Sequence, residues 1–161
     1  MRMHQLLVCA AWLVFVAAWF LPVIDEGVTL PQGLPGWQAT RVALCGVWPC
    51  RYVIIDEWYK TVLFTVSALT TLLFLPGSVW VVWGGSKRVC LMFAWFAALA
   101  FVLNTHWYVL AGSNRADLRI GYYLWWISFL LMALGLFDLS RRGTANRKMS
   151  ASSSHLCACV L

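Results

Sequence analysis

Acidic residues are almost absent. Asp25, Glu26, Asp56, Glu57, Asp117 and Asp138 are the only six among 161, and none lies inside the four long apolar runs of the chain. A soluble domain carries roughly 25% charged residues, whereas this chain has 11% charged and 62% hydrophobic residues. That composition excludes an ordinary soluble globule. Apolar runs without a carboxylate also argue against a proton-coupled pump built on Asp or Glu. The net charge of +6 does not point to nucleic acid, because that reading needs a basic face on a soluble fold. Here Lys and Arg are confined to short segments between apolar runs, where the charge rules of membranes account for them. No nucleophile–base–acid set, phosphate-binding loop, dinucleotide fingerprint or zinc motif is present. The expectation is a protein that is not an enzyme and takes no cofactor.

Processing signals are lacking as well. The first apolar run is longer than a secretory h-region and ends in Phe20, Leu21 and Pro22 rather than in a small-residue cleavage site. Cys9 follows Leu6, Leu7 and Val8, without the small residue that precedes a lipidated cysteine. The chain ends Cys157, Ala158, Cys159, Val160, Leu161, so the fourth residue from the end is Ala158 and not the Cys of a prenylation box.

What is present is a set of membrane-length runs. Gln5 to Ile24 carries no charge, and a helix of that length covers about 30 Å, one hydrocarbon core. Further spans are expected at about 58–83, 89–110 and 120–137. The second must run through Pro76 and Gly77, which should kink it. The third carries Ala94, Ala97, Ala98 and Ala100, small residues that let helices approach closely. Between the first two spans, Trp37, Leu44, Cys45 and Trp48 share one helical face and Pro49 ends the pattern. The fold class that follows is all-α: an integral membrane four-helix bundle, with a short amphipathic helix in the first exported loop, lying on the membrane surface or capping the bundle. The membrane domain would cover 1–143, and a flexible cytoplasmic tail 144–161.

Orientation follows from the cations. With both termini inside, Arg2, Lys87, Arg88, Arg141, Arg142, Arg147 and Lys148 are cytoplasmic, and Arg41, Arg51, Lys60, Arg115 and Arg119 are exported. Trp58, Tyr59, Trp107, Tyr108, Tyr122, Tyr123, Trp125 and Trp126 would form the outer aromatic belt, and Trp80 and Trp83 the inner one. The expected partners are the lipid bilayer and another membrane protein or a second copy of the chain, with no nucleic acid.

Few residues suggest chemistry. Asp25, Glu26, Asp56 and Glu57 flank the exported loop and are candidate oxygen ligands for a divalent cation; as end charges they would be balanced by Arg51 and Lys60. Cys45 and Cys50 are a candidate disulfide in an oxidising compartment. Their closed loop is short, and bridging requires the helix to end between them. Cys9 and Cys90 read as small core residues. Cys157 and Cys159 form a two-ligand pair in the tail, where thiols stay reduced. Asn104 and His106 sit at the outer end of the third span, where a structural role outweighs proton relay. Polar residues within the spans are Thr65, Ser67, Thr70, Thr71, Asn104, Thr105 and Ser128, a thin lining for a conduction path.

Two stretches carry a resemblance. Leu34-Pro-Gly-Trp-Gln-Ala39 and Ile120-Gly-Tyr-Tyr-Leu-Trp-Trp126 resemble segments of a loose group of small, uncharacterised four-span proteins of the bacterial inner membrane. The resemblance implies a bacterial plasma membrane and no defined activity. The layout is also analogous to claudin and peripheral-myelin tetraspans, but their loop signature is not met. Gly46-Val47-Trp48-Pro49-Cys50 is one residue short, and no second cysteine follows in the loop. The functional expectation is a non-catalytic structural, accessory or immunity-type interaction protein. The alternative is a small transporter or channel acting as an oligomer.

Overall fold

The computed structural model describes residues 3–24, 33–44, 58–84, 86–110 and 118–157, with the backbone alone beyond Arg141. The elements are α1 (Met3–Phe20), β1 (Pro22–Ile24), β2 (Leu34–Pro35), α2 (Gly36–Ala43), α3 (Trp58–Gly84), α4 (Lys87–Asn104), α5 (His106–Leu110) and α6 (Ile120–Cys157). Four helical segments, Met3–Phe20, Thr61–Trp83, Lys87–Val109 and Ile120–Arg141, are long and apolar enough to cross a membrane. Lipid offers backbone N–H and C=O groups no partners, and an unbroken helix satisfies them within itself. The chain is an all-α, multi-pass membrane protein whose spans form a four-helix bundle.

The last span lies at the centre. α6 packs along α1 and along α4, and α3 packs against α4 and α2. The bundle axis is filled by three fully buried rings. Phe15 of α1 stacks on Phe74 of α3, with centroids 4.4 Å apart. Phe129 of α6 meets Phe74 edge-on at 4.8 Å. Around these rings Ala11, Ala94, Ala97 and Ala133 are fully or nearly fully buried, along with Met132 and Leu136. The small residues anticipated on the third span do bring helices together, through Ala94, Ala97 and Ala100, while Ala98 stays half-buried.

Pro76 lies within the unbroken α3. Two residues later the Ser78 hydroxyl donates to the Leu75 carbonyl at 2.9 Å and accepts from Trp12 Nε1 at 2.8 Å. A hydroxyl two residues beyond the proline thus serves its own backbone and ties α1 to α3.

Five features differ from the sequence expectation. First, the third span is not one helix. It stops at Asn104 and resumes at His106, with a tight turn at Thr105. Thr105 N donates to Val102 O, Thr105 Oγ1 to Phe101 O, and His106 Nδ1 to Leu103 O. The side chains of Thr105 and His106 thus compete for the carbonyls of the last turn, which tightens the helix there. Second, the end of α1 does not run on to Ile24: it turns into a short antiparallel hairpin with β2, Pro22 opposite Pro35 and Ile24 opposite Leu34. Third, α2 ends at Ala43. Its packed face is Gly36 and Ala43, while Trp37 points outward. Fourth, the aromatic belt divides. Trp58 and Trp83, at opposite ends of α3, are 78% and 84% exposed, as interfacial anchors should be. Tyr122 is only 1% exposed and belongs to the interior. The last helix also continues past 137, through Cys157.

Candidate functional site

The two stretches singled out in the sequence meet at one end of the bundle, and the residue type that permits it is glycine. A Cβ on Gly36 would lie 2.4 Å from the Ala18 carbonyl oxygen, and one on Gly121 would lie 2.6 Å from that of Pro22. Neither position has room for a side chain. Backbone bonds complete the junction: Gly36 N donates to Leu21 O, and Arg119 N to Val23 O, while Ile24 bridges to Leu118. The end of α1 and the hairpin are therefore held between α2 and the start of α6.

Beneath this junction lies a cavity of about 40 Å³, large enough for one or two waters. The Leu34–Ala39 stretch and the rest of α2 contribute Gly36, Ala39, Thr40 and Ala43. The Ile120–Trp126 stretch contributes Tyr122 and Trp125. Ala18, Trp19, Val23, Ile24, Ser67, Ala68, Thr71 and Trp107 close the remaining walls. The cavity is mainly apolar, with hydroxyls on the α3 side.

A layer of hydrogen bonds surrounds it. Trp107 Nε1 donates to Ser67 Oγ at 3.1 Å, and Trp125 Nε1 to Thr71 Oγ1 at 3.1 Å. Trp126 Nε1 donates to the Phe101 carbonyl at 2.9 Å, and the Tyr122 hydroxyl to the Asn104 carbonyl at 3.1 Å. Asn104 Nδ2 donates to Thr70 Oγ1 at 3.2 Å. Rings expected to anchor in the headgroup region instead bind helix to helix. Thr70 and Thr71 in turn donate to the Ser67 carbonyl. Trp19 Nε1, Asn104 Oδ1 and His106 Nε2 are buried polar atoms without a protein partner. Trp19 lines the cavity, so a water there has a donor in its wall.

At the opposite end of the bundle His4 is buried beside Asp138, with Nδ1 and Oδ2 at 3.4 Å. The Cys90 thiol donates to the Leu136 carbonyl at 3.8 Å. Cys90 is a free, buried thiol and Cys9 a free, half-buried one, in keeping with small core residues. Asp25, Glu26, Asp56 and Glu57, the candidate cation ligands, and Cys45 and Cys50, the candidate disulfide, all lie outside the described residues. Sequence reasoning missed the cavity and the His4–Asp138 contact. For the first, the available signal was two glycine-containing motifs at the same membrane depth.

The chain matches no family model, no curated protein and no solved structure.

Proposed function

We propose that this is a non-catalytic interaction protein of the bacterial inner membrane, with both termini in the cytoplasm, acting as an accessory or immunity-type subunit for another membrane protein or for a second copy of itself. One observation carries the reading: among the described residues, the middle of the bundle is filled by buried side chains. Phe15, Phe74 and Phe129 fill the axis, and the buried hydroxyls are spent on neighbouring carbonyls and indoles. A pathway needs a continuous polar lining, and a catalytic site needs acid, base or nucleophile in reach of a substrate. Binding through the outer faces needs neither. The resemblance of Leu34–Ala39 and Ile120–Trp126 to segments of small bacterial inner-membrane proteins supports the location, as do the cations of the loop at Lys87–Arg88 and of the segment after Asp138.

The test has two arms. Purified protein in liposomes should leak neither ions nor small solutes above empty vesicles. Crosslinking in intact cells, from photoreactive groups at Met92, Leu99 and Val102 on the exposed face of α4, should trap a discrete product containing a second membrane protein or a second copy. Reproducible flux above empty vesicles would favour the oligomeric transporter or channel instead, and the absence of any crosslinked product would overturn the interaction role.

A further inference from the structure

The cavity of about 40 Å³ under the hairpin junction is apolar over most of its wall, yet it gathers polar groups whose bonding is incomplete. Trp19 of α1 lines it, and the Trp19 Nε1 donor is buried and, among the described residues, unpartnered. Ser67 of α3 lines it and is 3% exposed. The Ser67 oxygen accepts from Trp107 Nε1 at 3.1 Å, and among the described residues its own proton has no acceptor. Thr40 of α2, on a third wall, donates its proton to the Gly36 carbonyl at 3.0 Å. A hydroxyl that donates keeps lone pairs with which to accept. Two donors and an acceptor, from three helices, thus border one small space.

Size and chemistry select the occupant. A water needs about 10 to 15 Å³ of cavity and two to four polar partners, and this space meets both requirements. A larger solute is excluded, since pockets for such ligands hold roughly 300 Å³ or more. A hydrocarbon guest would leave both donors unpaired in surroundings of low dielectric, where an unmet hydrogen bond is most costly. Water both accepts and donates, so it alone among small molecules of this size matches the whole set.

We infer that the cavity is a binding site for an ordered internal water, which accepts from Trp19 Nε1 and the Ser67 hydroxyl and donates to Thr40 Oγ1. Among the described residues these three side chains share no direct hydrogen bond, so the water supplies their contact. It fastens α2 to α1 and α3 through a polar bridge, in addition to the close backbone approach at Gly36. The site is independent of the partner-binding role, and nothing in that role requires it.

The test uses the full chain in detergent micelles and has two readouts. Water-selective NMR should show a direct, non-exchange cross-peak between water and the Trp19 indole proton, assigned by its loss in Trp19→Phe. The Trp126 indole, which donates to the Phe101 carbonyl at 2.9 Å, should show none. In Ser67→Ala the Trp19 cross-peak should weaken. This comparison does not depend on stability. The second readout is the unfolding midpoint of Trp19→Phe, Ser67→Ala and the double variant. Each single change breaks the same bridge, so the double variant should lose clearly less than the sum of the two. Loss of the Trp107 bond is common to both proteins that carry Ser67→Ala and cancels from the comparison. Absence of the water signal at Trp19 would overturn the site, and xenon-induced shifts of the Ala39 and Ala68 methyls, which line the cavity, would then mark it as dry. A signal unchanged by Ser67→Ala, or losses that simply add, would overturn the bridge.

Discussion

The hydroxyl of Tyr122, at the start of the last span, donates to the main-chain carbonyl of Asn104, at the end of α4, across 3.1 Å. That carbonyl lies in the last turn of its helix, where no backbone N–H remains to meet it. A side chain from α6 thus caps α4 at the point where Thr105 interrupts the span. Tyr122→Phe removes the bond and keeps the ring. The expected loss is about 0.5 to 1.5 kcal/mol, read as a lower unfolding midpoint in detergent. An unchanged midpoint would mean that the carbonyl finds another donor.

Gly36→Ala should reverse the usual sign. In a helix, Ala is favoured over Gly by about 1 kcal/mol, and Gly36 opens α2. Its Cβ, however, would sit 2.4 Å from the Ala18 oxygen. Crowding of this kind costs about 1 to 3 kcal/mol, and a backbone carbonyl cannot swing away as a side chain can. Gly121→Ala should act likewise, through Pro22 O. Both variants should lower folded yield, whereas Ala17→Leu, on an exposed position of α1, should not. Stabilisation by Gly36→Ala would show that α2 does not dock on α1.

These glycines show where the sequence was readable and where it was not. The four spans follow from apolar length, because lipid allows little except helices across its core. The buried Ala94–Ala97 face follows from small residues within an apolar run. The hairpin does not, because Pro22–Ile24 and Leu34–Pro35 are too short for a period-two pattern, and their pairing depends on Gly36 and on the distant Leu118. Trp107, Trp125 and Trp126 were misplaced for a related reason. Aromatic residues near a span end suit either the interface or an inter-helix hydrogen bond, and only a facing hydroxyl such as Ser67 or Thr71 decides between them. For the candidate site, the two motifs could be named in advance, but their convergence on one cavity required the fold.

Topology is open to direct test. Arg2 before an uncharged first span, Lys87–Arg88, and the cluster from Arg141 to Lys148 favour cytoplasmic termini. Reporter fusions at positions 40 and 115 should be active outside the membrane, and fusions at 86 and 150 inside. An externally active reporter at 150 would make the number of crossings odd and overturn the arrangement.

The last prediction concerns Asn104 and Thr70. Asn104 is fully buried; its Nδ2 donates to Thr70 Oγ1, while its Oδ1 has no protein partner. The amide is therefore only half satisfied, and the bond to α3 compensates part of its burial. Side-chain hydrogen bonds between membrane helices average about 0.6 kcal/mol and reach roughly 1.7, but stranding a buried polar group costs more, about 1 to 3 kcal/mol. Thr70→Val keeps the shape of the side chain and deletes the acceptor, which leaves the whole amide unpartnered. It should lose stability within that larger range. Asn104→Leu removes the amide, its unpartnered oxygen included, and leaves a hydroxyl that already donates to the Ser67 carbonyl at 2.7 Å. Its loss should be the smaller of the two. With both changes no polar group is stranded, so Thr70→Val combined with Asn104→Leu should be more stable than Thr70→Val alone. The cycle is measured by unfolding midpoints in one detergent, with the four proteins side by side. If the losses simply add, the two side chains do not interact and the contact between α3 and α4 at this level rests on packing alone.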